Sequence, residues 1–146
     1  MNNSFIASLI TSSSSKPNDG DNDNRSWVHT WFKTWHIHAV NGLSNDQTLL
    51  VHCKFKDDDL GVHNLIVGSE FISKFRSRII KGTLFGCYMS FSNHQASFKV
   101  FWDNYVLYNM CDWGTCIWTA KDDRIYLKNI PKNQDVYCYD WEQERL

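Results

Sequence analysis

The stretch Val51-His52-Cys53-Lys54-Phe55-Lys56-Asp57-Asp58-Asp59-Leu60-Gly61 decides how this chain is read. With Leu49 ahead of it, Val51, Cys53 and Phe55 fall on one face, while His52, Lys54 and Lys56 fall on the other. A period of two with one apolar face is a half-buried strand. The strand stops in a run of aspartates, which reads as a charged, solvated turn. Consecutive aspartates point in different directions and lack the alternate spacing of a calcium loop, so no cation is assigned to them. Binding residues concentrate on loops held by a rigid scaffold, so Lys56, Asp57, Asp58 and Asp59 are the candidate partner-facing residues.

Working outward, the same alternation recurs. Trp35, Ile37 and Ala39 alternate with His36, His38 and Val40, and Asn41-Gly42 opens a turn. Pairing Ala39 with Val51, Ile37 with Cys53 and Trp35 with Phe55 would put every apolar side chain of both strands on one face, so a hairpin is expected. Phe71 and Phe75 mark a further strand. Others follow at Phe85, Cys87, Met89 and Phe91, then at Ala96, Phe98, Val100 and Trp102, and at Cys116, Trp118 and Ala120. Ile125 with Leu127, and Val136 to Trp141, close the series. Short strands at this spacing predict an all-β fold, an antiparallel β-sandwich of about seven to eight strands stapled by disulfides. Trp27, Trp31 and Trp35 share helical spacing but are read as chain leading onto the sheet.

Composition narrows the function classes. The chain has 146 residues, enough for one domain with a real core, and a formal net charge of -1. That charge leaves no broad electrostatic footprint for nucleic acid or an anionic membrane. No apolar run approaches membrane-spanning length, so no membrane insertion is expected. Residues 1–26 read as a weak signal-like start plus a disordered Ser/Asn/Asp-rich segment, and 27–146 as the sandwich domain. Asn2 and Asn24 stand in N-x-S sequons, of which Asn24 is the glycosylation candidate.

Five cysteines, Cys53, Cys87, Cys111, Cys116 and Cys138, do not have zinc-finger spacing. They suit a disulfide framework in an oxidising compartment. Four cysteines allow three connectivities and the sequence does not choose among them; Cys138 looks like the odd one. His36, His38 and His52 would share an outward face if the hairpin formed, a weak candidate zinc site against the plainer reading of exposed histidines. No G-x-S-x-G and no phosphate-binding glycine loop is present, so no enzyme and no cofactor are expected. Surface tryptophans at Trp27, Trp31, Trp113 and Trp141 would suit a non-catalytic carbohydrate- or peptide-binding module, although core or lead-in packing is the simpler account of most of them.

The ordered motifs carry a resemblance. Trp35-His36-Ile37-His38, Asn41-Gly42-Leu43, Leu50-Val51-His52-Cys53-Lys54, Asp57-Asp58-Asp59-Leu60-Gly61 and Gly68 come first. Phe75, Gly82-Thr83-Leu84-Phe85, Cys87, Phe98, Val100, Cys111, Cys116, Trp118, Asp123 and Tyr126 follow in order. Together they resemble the plant self-incompatibility protein family, secreted relatives of the poppy stigma determinant. The likeness covers Trp35 to Leu127. It departs at Phe55, Gly86 and Arg124, where the family usually has serine, tryptophan and glycine, positions read as loops and strand edges. The resemblance implies a secreted sandwich with two disulfides among Cys53, Cys87, Cys111 and Cys116. It also implies an extracellular ligand read by a cell-surface receptor; a monomer is expected.

Overall fold

The computed structural model describes residues 32–78 and 85–143. Its strands are β1 (Phe32–Asn41), β2 (Leu49–Phe55), β3 (Asp58–Leu65), β4 (Glu70–Arg78), β5 (Phe85–Phe91) and β6 (His94–Phe101). A short helix, α1 (Tyr105–Met110), leads to β7 (Thr115–Ala120), β8 (Arg124–Asn129), β9 (Gln134–Asp140) and β10 (Glu142–Gln143). Two five-stranded sheets form, in the orders β4-β1-β7-β8-β9 and β10-β6-β5-β2-β3. The all-β sandwich expected from alternation is the fold. Its described part holds more strands than expected because the edges carry little apolar pattern: β3 and β10 were not anticipated.

The expected hairpin between β1 and β2 does not form. β1 pairs with β4 and, in parallel, with β7, whereas β2 pairs with β3 and β5 in the other sheet. Both strands turn their apolar faces to the same core, so an in-register match of apolar residues fits two strands facing across a sandwich as well as two neighbours. Asn41-Gly42 accordingly starts a crossing between sheets. The Gly42 amide donates to the Ala120 carbonyl at 2.8 Å. A Cβ on Gly42 would lie 2.7 Å from Thr119 Cγ2 and 3.2 Å from the Ala120 carbonyl oxygen, so the close packing of this crossing against β7 favours glycine here.

Between the sheets lie Trp35, Phe55, Phe75, Phe85, Phe101 and Trp118, each almost fully buried. Trp35 meets Phe101 at 4.8 Å between ring centroids, and Phe55 meets Phe75 at 4.9 Å, contacts that join one sheet to the other. Full burial of such a side chain contributes about 1.5–3 kcal/mol. The Trp118 indole N–H donates across the core to the Val100 carbonyl at 3.0 Å. Phe55 and Gly86 stand in the central strands β2 and β5, not at loops or edges, and Phe55 packs between Phe75 and Phe85.

Cys53 faces Cys87 across the β2–β5 pair and the two form a disulfide; Cys111 and Cys116 form the second. The latter closes the turn from α1 to β7, in which Asp112 and Trp113 adopt positive φ. Asn104 starts α1 by accepting from the Val106 and Leu107 amides at 2.8 and 3.1 Å. Cys138 is a free, partly buried thiol on β9, and that burial raises its pKa.

Candidate recognition surface

The aspartate run is a tight hairpin, not an open loop. Lys56 and Asp57 alone link β2 to β3. Lys56 has φ 55°, the left-handed conformation that two-residue hairpins use to match the strand twist. Both side chains are exposed at one end of the sheet. Asp58 and Asp59 are instead the first residues of β3, and the strand's alternation sends them opposite ways.

Asp58 points inward and is 7% exposed, with its Oδ2 atom unpartnered among the described residues. Burial, then the neighbouring Asp57, pushes its pKa above the ordinary carboxylate value. Asp59 points outward. Its Oδ1 accepts from the Gly61 amide at 2.9 Å and lies 2.7 Å from His52 Nε2. The Gly61 amide, and then His52, holds its pKa below the ordinary value. Of the four candidate residues, then, Lys56 and Asp57 are the exposed pair on the turn itself, Asp59 is tied to the face of the sheet, and Asp58 belongs to the inner side.

A second loop, Ser92-Asn93 between β5 and β6, lies at the other end of this sheet, because Leu50 pairs with Ser90 and Phe55 with Phe85. The seven residues of β2 separate the two turns by about 20 Å. Between them, on the outer face, runs a groove of about 470 Å³ with His52, Lys54, Lys56, Tyr88, Ser97 and Lys99 on its walls and Gly86 on its floor. No lining residue is acidic. Glycine inside an alternating strand was the one signal for it in the sequence.

The three histidines do not converge. His36 and His38 lie on the outer side of the β1 sheet, and His52 on the outer side of the other, with the core between them. His38 Nδ1 is 2.8 Å from Glu70 Oε1, a partner on the adjacent strand. Among the described residues no group of three or more His, Cys, Asp or Glu side chains is placed to hold a metal ion. Of the candidate tryptophans, the two described, Trp113 and Trp141, are half-buried and not exposed platforms either. Trp113 packs on Tyr108 at 5.1 Å, and Trp141 donates to the Lys121 carbonyl at 2.8 Å while its ring meets Phe91. Trp27, Trp31 and the sequon at Asn24 lie outside the described residues.

Comparison with known proteins fits this frame. S-protein homolog 1 of Arabidopsis thaliana is 43% identical over 108 residues, 74% of this chain and 72% of its own length. S-protein homolog 74 of the same plant is 39% identical over 122 residues, covering 84% and 81%. A solved chain from a study of self-incompatibility protein homologues, described as a widespread family of small, highly stable, secreted plant proteins, superposes with a TM-score of 0.60. It shares 18% identity and covers 76% of this chain and 96% of its own, a likeness of fold. The family model for plant self-incompatibility protein S1 matches residues 36–141. That span takes in both sheets and both disulfides, and the chain belongs to the plant self-incompatibility protein S1 family.

Proposed function

We propose that this chain is a secreted plant signalling ligand that a cell-surface receptor recognises by its surface, with the Lys56–Asp57 turn as a principal contact. One observation carries the reading: a frame stapled at Cys53–Cys87 and Cys111–Cys116 presents two exposed, oppositely charged side chains on a two-residue turn, with Asp58 turned inward and Asp59 tied to the sheet face. Such a turn has little conformational freedom left to lose on binding, which favours affinity by preorganisation. The disulfides suit an oxidising, extracellular setting, as does the likeness to proteins described as secreted.

The test is displacement of labelled, folded protein from plasma-membrane vesicles of the same plant. Saturable, protease-sensitive binding is expected. Lys56→Gly/Asp57→Ala, which keeps the turn because glycine favours positive φ, should displace the label about tenfold less well. Equal displacement by the variant would move the contact surface elsewhere on the sandwich. Absence of saturable binding would sink the ligand reading itself.

A further inference from the structure

The groove on the outer face of the β2–β5–β6 sheet has a layout of its own. Lys54, Gly86 and Lys99 stand in register across the three strands. The two lysines therefore flank a position without a side chain, about 10 Å apart at Cα by the strand spacing. His52, Tyr88 and Ser97 form the next row. The Tyr88 hydroxyl donates to Gln95 Oε1 at 3.1 Å, which draws the ring along β6 away from Gly86 and leaves the floor open.

Charge makes the groove selective. The chain carries a net charge of -1, yet the groove is lined by three lysines and no acid. Neither Lys54 nor Lys99 forms an ion pair among the described residues. The nearest acid, Asp59, pairs with Lys54 across the β2–β3 ladder, but its Oδ1 is engaged by His52 and the Gly61 amide. The Lys54 charge helps hold the Asp59 pKa low and so is partly offset on the β3 side, but no lining residue balances the two cations over the Gly86 floor, and the groove keeps a net positive potential.

We propose that this groove binds an acidic oligosaccharide, a short run of uronate sugars whose carboxylates meet Lys54 and Lys99 and whose hydroxyls meet Ser97 and the Tyr88 row. A peptide strand cannot add to β2 or β5 beneath the groove, because both are hydrogen-bonded on both sides. Nucleic acid would need a longer cationic track than this patch offers. The groove, of about 470 Å³, is open along the sheet face, which suits an extended chain lying across it more than a small molecule enclosed within it. The proposal is independent of the receptor reading, since sugar binding is measured with no receptor present.

The experiment is calorimetric titration of the folded, disulfide-intact chain with a de-esterified galacturonate oligomer at low salt. Saturable binding is expected, weakened about tenfold or more in Lys54→Gln/Lys99→Gln, as loss of charge-assisted contacts implies. A second variant, Gly86→Leu, should block the floor without disturbing the fold. Its Cβ meets only the Phe98 carbonyl, at 3.5 Å, and its effect on folding is checked by near-ultraviolet circular dichroism. Absence of binding, equal binding of the methyl-esterified oligomer, or full binding by Gly86→Leu would each overturn the proposal. Equal affinity for inorganic sulfate would also overturn it, reducing the groove to a bare anion contact.

Discussion

Replacing Asn41 should reveal how one end of the sandwich is tied together. Asn41 ends β1 and is 1% exposed. Its Nδ2 donates to the Gln47 carbonyl at 2.9 Å and the Leu65 carbonyl at 2.8 Å, and its Oδ1 accepts from the Leu43 amide at 2.9 Å. One side chain thus links a strand of the first sheet to the approach to β2 and the end of β3 in the second. A buried hydrogen bond contributes about 1 kcal/mol net, and a group stranded without a partner costs about 1–3 kcal/mol. Asn41→Leu, close in volume, removes all three bonds, so a loss of about 3–5 kcal/mol is expected. Urea unfolding at neutral pH measures it as a shift in midpoint with the slope unchanged. Asn41→Asp separates charge from shape. Its carboxylate would face two carbonyl oxygens, so its folded-state pKa rises, and its deficit relative to wild type should shrink as pH falls toward the unfolded-state value near 4. A loss under about 1 kcal/mol in Asn41→Leu would refute the reasoning, because it would mean the linked groups were satisfied without the side chain.

Other consequences follow from the same structure. The Cys53–Cys87 disulfide spans 34 positions and Cys111–Cys116 spans 5, so loop-closure entropy assigns them about 3.8 and about 2 kcal/mol. Paired alanine substitutions compared by guanidinium unfolding should preserve that order; a reversed order would show that local strain or packing dominates. Trp118→Phe keeps most of the buried ring but strands the Val100 carbonyl, which should lower stability by about 1–3 kcal/mol in thermal unfolding. Asp122 accepts from the Ser44 hydroxyl, from the Ser44 amide at 3.1 Å and from Gln47 Nε2 at 3.2 Å. The Ser44 hydroxyl and amide, then Gln47, hold its pKa below 3.8. Stability from this group is therefore present above that value and lost as pH falls below it, and Asp122→Asn should flatten the acid limb of the stability–pH profile.

Much of the inner surface was legible in the sequence, since Val51, Cys53 and Phe55, and equally Phe85, Cys87 and Met89, alternate without interruption and are buried. The strand β3 was not legible: Asp58 to Leu65 is polar along most of its length, held by ladder bonds and by the Asp59–Gly61 contact more than by apolar pattern. The candidate site was half legible. Position in the chain marked Lys56 to Asp59 as a charged cluster, but strand phase sent Asp58 inward and Asp59 to the outer face. The groove was hidden because its walls, Lys54 and Lys99, lie 45 positions apart and meet only through β5.

What the amino-acid order by itself determined is which side of each well-patterned strand seeks the core, because side chains alternate with period two whatever the strand's neighbours are. It also determined the family likeness and the presence of paired cysteines. Only the tertiary structure decided that β1 and β2 face one another across the core instead of pairing, that β1 lies parallel to β7, and that Cys53 joins Cys87. The physical reason is that burial is satisfied equally by a neighbour beside a strand or by one opposite it. The choice between them comes from long-range hydrogen-bond pairing, inter-sheet aromatic contacts and links such as Asn41, none of which leaves a periodic mark on the chain.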